Sequence, residues 1–183
     1  YFKEDGSGIV LFRPEKNLER LNKSANRMSM PEIPLELFMD GLKKLIELDK
    51  DFIPKHAGSS LYIRPFMIGT EPFIGVRTSD RYIFSIITGP TASYYDEAIS
   101  VLVYDSYVRS TKGGYGNAKA AGNYAGTLYP VEVAKQKGYK DVLWLDGEHK
   151  KYLNEVGTMN IFLVIDGKLV TPEIDGTILD GIT

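Results

Sequence analysis

The chain has 183 residues, of which 43% are hydrophobic and 25% charged, a composition ordinary for a folded globular protein. Its net charge of -2 predicts no general affinity for nucleic acid or for an anionic membrane surface. No apolar run approaches the roughly 20 residues needed to span a bilayer, and cysteine is absent. We therefore expect a cytoplasmic protein without disulfides or thiolate metal sites.

Both ends of the sequence have the character of internal segments. The chain starts at Tyr1 without a methionine and stops at Thr183, directly after a turn-like sequence. Natural termini are usually polar and loosely ordered. We expect a piece of a longer protein, and no signal-peptide pattern is visible at its start.

The first half of the chain combines a hairpin pattern, two helix patterns and two strand patterns. Residues 1–13 alternate around an Asp-Gly-Ser-Gly sequence, which predicts a hairpin. Pro14 and Pro34 each open a stretch with apolar residues three and four positions apart, which predicts two helices. Residues 61–68 and 81–88 are rich in β-branched and aromatic residues and are predicted to be strands.

Small residues at positions 88–93 form the best candidate domain boundary, so we expect one domain over residues 1–93 and another over residues 94–183. The second part contains a glycine-rich stretch that leads into a helix ending near residue 137. Its predicted strands share apolar runs between turn signals and cover residues 98–104, 141–145, 152–156, 160–165 and 168–170. Segregated helices followed by a run of strands predict an α+β fold.

The glycine-rich stretch, residues 113–126, carries Lys119. It fits neither the phosphate-binding loop with a lysine and serine or threonine nor the dinucleotide fingerprint. A solvated lysine on a surface loop is the simplest interpretation, since lysines are seldom buried. The alanines flanking Lys119 favour a second interpretation, because they leave room for a planar ligand and give an ammonium no solvation. Desolvation favours the neutral amine that reacts with carbonyl groups, and the Tyr124 phenol follows close behind.

Glu155 lies in an otherwise apolar strand region. On its own it is more simply interpreted as a surface residue at a strand end, because glutamate is seldom buried unpaired. The two histidines, His56 and His149, lie among charged and loop-forming residues without metal-ligand spacing, so no metal site is expected.

Several segments together resemble the branched-chain amino-acid aminotransferases, a family of the class IV aminotransferase fold that uses pyridoxal 5'-phosphate (PLP). Two of them carry the signature: Asn-Ala-Lys-Ala-Ala-Gly-Asn-Tyr at residues 117–124 and Glu-Val-Gly-Thr-Met-Asn at residues 155–160. Leu-Phe-Arg-Pro at 11–14, Ser-Leu-Tyr-Ile-Arg-Pro at 60–65 and Leu-Trp-Leu at 143–145 match in the same order. The resemblance implies two domains, each present only in part: a small one (residues 1–93) and the first part of a large cofactor-binding one (residues 94–183).

The resemblance assigns cofactor roles residue by residue. Lys119 matches the Schiff-base lysine, which also shuttles the substrate's α-proton, and Tyr124 matches the phenol bonded to the ring oxygen. Glu155 matches the carboxylate that faces the pyridine nitrogen, where an anion keeps the ring protonated. Arg20 matches the arginine that binds the cofactor phosphate. A guanidinium suits this role because it binds phosphate in a forked geometry. From spacing alone, however, Arg20 is more simply a solvated helix residue.

Three residues at the end of the chain complete the implied cofactor contacts. Ile182 and Thr183 match residues whose backbone amides receive the phosphate, and Leu179 matches the aliphatic residue that packs on the ring.

On the substrate side, Thr158 resembles the residue that helps to bind the α-carboxylate. Tyr62, Arg64 and Tyr94 resemble the lining of the side-chain pocket, although strand packing explains the two tyrosines equally well without the resemblance. Arg109 lies shortly before the glycine-rich stretch and is only a weak candidate for a residue that approaches the site.

The implied reaction is transamination of leucine, isoleucine or valine with 2-oxoglutarate by a homodimer, in which Val76 matches a position contributed across the interface. The alternatives are another class IV enzyme, such as a D-amino-acid aminotransferase or an aminodeoxychorismate lyase, or a fragment without activity.

Overall fold

The computed structural model describes residues 1–3, 5–56 and 58–183. Contacts between Cα atoms divide the chain into two compact units. Unit 1 consists of Tyr1–Asn22 and Ser29–Asp96, and unit 2 of Lys23–Met28 and Glu97–Thr183. Among the described residues, none of the helices combines the length and the apolar character that a membrane span requires.

Unit 1 packs helices against a two-stranded antiparallel sheet. Its helices are α1 (Pro14–Arg27, whose last turn belongs to unit 2) and α2 (Leu35–Asp49), followed by a short 3-10 turn. Its strands are β1 (Ser60–Gly69) and β2 (Tyr82–Thr91), paired from Ser60↔Thr91 to Gly69↔Tyr82.

The apolar stripe of α2 forms the core of unit 1, as its spacing predicts. Phe38, Leu42 and Ile46 are buried at intervals of four residues, which places them on one helix face. This face packs against Leu18 of α1 and against the inward-facing residues of the sheet, which include Phe84. Pro34 precedes the first turn in an extended conformation, and its carbonyl oxygen accepts the first hydrogen bond of the helix, from the Phe38 N–H at 3.0 Å.

Two boundaries in unit 1 differ from the sequence-based expectation. The predicted hairpin over residues 1–13 is shorter than expected: within the described residues, the bridge Phe2↔Ile9 is flanked by backbone hydrogen bonds from Lys3 to Gly8 and from Val10 to Tyr1, and the pairing stops there. Strand β2 runs on to Thr91, so the predicted connector at 88–93 begins inside the strand. Gly89 and Pro90 still oppose Tyr62 and Leu61 of β1. Both strands of a two-stranded sheet are edge strands, and edge strands tolerate proline.

Unit 2 contains a three-stranded mixed sheet and a separate hairpin. The elements in chain order are β3 (Val101–Tyr104), α3 (Ala121–Ala125), α4 (Leu128–Gln136), β4 (Asp141–Leu145), β5 (Leu153–Val156), β6 (Leu163–Ile165) and β7 (Lys168–Val170). Strand β4 lies in the middle, parallel to β3 and antiparallel to β5, and β6 pairs with β7.

The parallel pair in unit 2 requires a crossover, and α4 lies within it. Ala134 of α4 packs against Val142 and Trp144 of β4, and these three residues form the buried core of the unit. Helices and a mixed sheet in this arrangement confirm the α+β prediction.

Candidate active site

A bulge in β5 buries the carboxylate of Glu155. Leu143 of β4 pairs with Val156, and Leu145 pairs with Leu153, so three steps along β5 oppose two steps along β4. The extra residue interrupts the usual alternation of side chains between the two faces of a strand. Consecutive residues Asn154 and Glu155 are consequently both buried, with exposed fractions of 5% and 2%.

Arg109 forms a buried ion pair with this carboxylate. Its Nη2 lies 2.7 Å from Glu155 Oε2, and only 7% of the arginine side chain is exposed. The guanidinium also donates to the carbonyl oxygens of Thr177, at 2.9 Å, and Gly116, at 3.4 Å. These bonds hold Arg109 in place, so a residue that sequence reasoning treated as a weak candidate is the main counter-charge of Glu155.

Opposing effects act on the pKa of Glu155. Burial raises it above its ordinary value, and this effect is the largest. The positive charges of Arg109 and Lys119 lower it, in that order. The cationic groups therefore oppose the protonation that burial favours.

Asn160 connects Glu155 to the end of the chain. Its Nδ2 donates to Glu155 Oε1 at 3.3 Å and to the carbonyl oxygen of Leu179 at 3.0 Å. A side chain at Gly181 would collide with Asn160 Oδ1, so Asn160 can keep this position only beside a residue without a Cβ atom. Leu179 is buried beside the carboxylate, and the same segment continues to Ile182 and Thr183. Asn160 belongs to the signature segment, but neither its spacing nor the resemblance assigned it a role.

Lys119 is anchored through its backbone and reaches Tyr124 through its side chain. The Lys119 backbone N–H donates to Ser24 Oγ at 2.9 Å, and Nζ donates to Tyr124 Oη at 3.1 Å. Its neighbours Ala118 and Ala120 are buried, but the lysine side chain is exposed. The expectation that flanking alanines desolvate the ammonium is therefore wrong for the described residues, because these alanines face the interior and the lysine faces outward.

Thr158 occupies the tip of a tight turn directly after the bulge. Val156 and Met159 exchange backbone hydrogen bonds of 3.0 and 2.8 Å, which leaves Gly157 and Thr158 as the two turn residues. Gly157 has φ of +55°, in the left-handed region that favours glycine. Thr158 is exposed, with its side chain on the surface of unit 2.

The remaining candidate residues lie in unit 1. Arg64 extends over the ring of Tyr62, with Cζ 5.3 Å from the ring centroid, on the sheet face opposite the helices. Tyr94 is 76% exposed and meets Tyr95 edge to face. Arg20 is half-buried on α1 and donates from Nη2 to Asn17 Oδ1 at 3.5 Å.

Metal coordination has no candidate within the part of the chain that the structure describes. It contains no cluster of three or more histidine, cysteine, aspartate or glutamate residues that could hold an ion. His56 and His149 are exposed, as their sequence surroundings predict.

Solved structures similar to this chain share one fold. The branched-chain aminotransferase of Thermoproteus uzoniensis with norvaline has a TM-score of 0.81 and 26% identity, covering 100% of this chain and 59% of that one. The branched-chain amino acid aminotransferase of Escherichia coli has a TM-score of 0.76 and 28% identity, and the match covers 96% of this chain and 56% of that one. The PLP-form of the branched-chain amino acid aminotransferase of Thermobaculum terrenum has a TM-score of 0.76 and 22% identity, and the match covers 100% of this chain and 58% of that one. At this identity the likeness is one of fold alone.

Sequence comparison points the same way. The chain is 54% identical to branched-chain-amino-acid aminotransferase 2 of Bacillus subtilis and 50% identical to branched-chain-amino-acid transaminase 1 of the same organism. Each alignment covers 100% of this chain, which spans about half the length of these curated relatives, 51% and 52%. The family model for amino-transferase class IV matches residues 5–183. The chain therefore belongs to the class IV aminotransferases.

Proposed function

We propose that this chain is part of a PLP-dependent enzyme that transfers the amino group of branched-chain L-amino acids to 2-oxoglutarate. The relatives named for branched-chain substrates, at 54% and 50% identity over the whole chain, support the substrate class. The observation that carries the cofactor assignment is the arrangement of Lys119, Tyr124 and Glu155 within unit 2.

The buried carboxylate provides a test of whether the residues suit PLP. Among the described residues, Glu155 Oε2 receives no hydrogen bond of good geometry, although it faces the Arg109 guanidinium. This oxygen is compensated by the guanidinium charge 2.7 Å away, and it keeps capacity to accept a hydrogen bond. A protonated pyridine nitrogen is a donor that this carboxylate can accept, and the buried Leu179 beside it offers an apolar contact for a ring. The residues present therefore fit PLP.

When bound, PLP supplies an electron sink for the electrons released at the substrate's α-carbon. Within the chain, Lys119 Nζ is the group that binds PLP and takes the α-proton, and Tyr124 Oη holds that nitrogen at 3.1 Å. Glu155 provides the carboxylate that faces the ring nitrogen and favours its protonated form, and the positive charge of Arg109 opposes protonation of that carboxylate. Thr158 binds the substrate's α-carboxylate at its exposed turn.

Other parts of the proposal rest on the resemblance alone. Arg20, Ile182 and Thr183 bind the phosphate, and Tyr62, Arg64 and Tyr94 line the side-chain pocket, where Arg64 pairs with the distal carboxylate of 2-oxoglutarate. Residues 1–93 and 94–183 belong to a smaller domain and a larger cofactor-binding domain. The proposed location is the cytoplasm, and the proposed assembly is a homodimer. Sedimentation of the PLP-loaded protein at several concentrations tests the homodimer.

Turnover distinguishes this proposal from its alternatives. We expect formation of L-glutamate from L-leucine and 2-oxoglutarate, and no use of D-alanine as amino donor. Lys119→Ala removes turnover, whereas Lys112→Ala, a matched change at an exposed lysine, keeps it. Preference for D-alanine would identify a different class IV enzyme. Loss of turnover in both lysine variants would contradict the role of Lys119.

A further inference from the structure

The indole of Trp144 contacts the turn that carries Thr158. Trp144 lies on β4 opposite the bulge and is fully buried. Its Nε1–H donates to the carbonyl oxygen of Gly157 at 2.9 Å. A buried donor and a buried acceptor thus satisfy each other, which makes the loss of either one costly.

Two further contacts hold Gly157 in the same place. Its backbone N–H donates to the carbonyl oxygen of Val142 at 2.8 Å, so β4 binds both polar groups of this residue. The carboxylate of Asp141, which is itself buried, lies against its Cα and leaves no space for a side chain. Gly157 is therefore fixed by neighbours that belong to one strand.

The geometry of the peptide bond transmits this restraint to Thr158. In a trans peptide the C=O and the following N–H point in opposite directions. Because Trp144 holds the Gly157 carbonyl towards the core, the Thr158 N–H points away from the core, at the exposed tip of the turn. Among the described residues, no backbone carbonyl accepts that N–H, and Thr158 itself is exposed, with its hydroxyl at the same turn tip.

We propose that Trp144 is a positioning residue for substrate binding: its indole N–H orients the Gly157–Thr158 peptide so that Thr158 presents an amide and a hydroxyl to a carboxylate. The proposal rests on the proposed function for the identity of the anion, the α-carboxylate of an amino acid. The orientation of the turn itself is independent of that function.

The test removes the indole donor with the least change in shape. Trp144→Phe keeps an aromatic ring, and replacement of this single tryptophan by β-(3-benzothienyl)alanine keeps the bicyclic shape without the N–H. Val142→Ala is the matched control, because it truncates a buried neighbour in the same core and leaves the backbone bond to Gly157 in place. All variants are prepared as the PLP-loaded chain.

Two readouts separate positioning from packing. Hydrogen–deuterium exchange reports the amides of residues 157–159, and titration with 4-methylpentanoate reports the affinity for an unreactive branched carboxylate. Loss of the indole hydrogen bond is expected to speed amide exchange by about tenfold and to lower the affinity for 4-methylpentanoate by about tenfold. The affinity for PLP is expected to stay unchanged. Val142→Ala leaves both close to wild type.

The inference would be overturned if the variants without the indole N–H exchanged and bound 4-methylpentanoate like the wild type. It would also be overturned if Val142→Ala changed both quantities as much as those variants do. If the wild-type protein binds no carboxylate, the assignment of the anion fails together with the proposed function. The exchange measurement then still decides whether Trp144 holds the turn.

Discussion

Replacing Arg109 by methionine removes the charge that faces Glu155 while it keeps an unbranched side chain. The carboxylate, 2% exposed, is left with a single side-chain hydrogen bond, the 3.3 Å contact from Asn160. Breaking a buried ion pair in this way costs about 3–5 kcal/mol of unfolding free energy, because one charge stays buried without compensation. Arg109→Met/Glu155→Gln removes both charges and is expected to recover at least about 2 kcal/mol of that loss.

The effect of Arg109→Met also depends on pH, in a direction that the pKa of Glu155 determines. Burial already raises this pKa, and loss of the guanidinium raises it further. Below the raised pKa the carboxyl is neutral in the folded state, so the destabilisation is small at low pH and grows as the pH rises. Urea unfolding of the four proteins of the mutant cycle at pH 5 and pH 8 measures both quantities. A coupling energy below about 0.5 kcal/mol, with equal losses at both pH values, would refute the ion-pair account.

Three further changes test other parts of the structure. Because the pKa of Glu155 is raised in the folded state, the unfolding free energy of the wild type should fall as the pH rises above the ordinary pKa of a glutamate. Glu155→Gln should abolish this fall, and urea unfolding at a series of pH values measures it. Gly157→Ala combines a left-handed backbone with a collision against Asp141 and should cost about 2–4 kcal/mol, whereas Gly138→Ala, left-handed in open space, should cost only about 1 kcal/mol in the same assay. Phe38→Ala empties the core of unit 1 and should cost about 3–5 kcal/mol in thermal or urea unfolding.

The sequence predicts those elements whose signals are local. The four-residue spacing of Phe38, Leu42 and Ile46 is a property of one segment, and the helix forms where that pattern and Pro34 place it. The Asp-Gly sequence at 166–167, between the strands predicted at 160–165 and 168–170, is an equally local signal, and β6 and β7 pair on either side of it. The turn signal within residues 1–13 is local too, and a short hairpin forms there, with the bridge Phe2↔Ile9 and backbone hydrogen bonds on either side of it among the described residues.

The candidate site depends on pairings that no local pattern encodes. The bulge that buries Asn154 together with Glu155 exists only in the register of β5 against β4, so no local pattern predicts that these consecutive residues are both buried. The ion pair of Glu155 joins residues from distant parts of the chain, and Arg109 carries no local signal of burial. The resemblance assigns roles to Lys119, Tyr124 and Glu155, but it assigns none to Asn160, Ser24 or Trp144, which emerge from side-chain contacts.

The central claim is that Lys119 carries PLP, and covalent mapping tests it most directly. The protein is mixed with PLP, its visible absorbance is recorded, and borohydride reduction followed by peptide mass spectrometry locates the modified lysine. We expect a visible band that is absent in Lys119→Ala and retained in Lys112→Ala, with the label on the peptide that contains Lys119. A band that survives in Lys119→Ala, or a label spread evenly over exposed lysines, would contradict the claim.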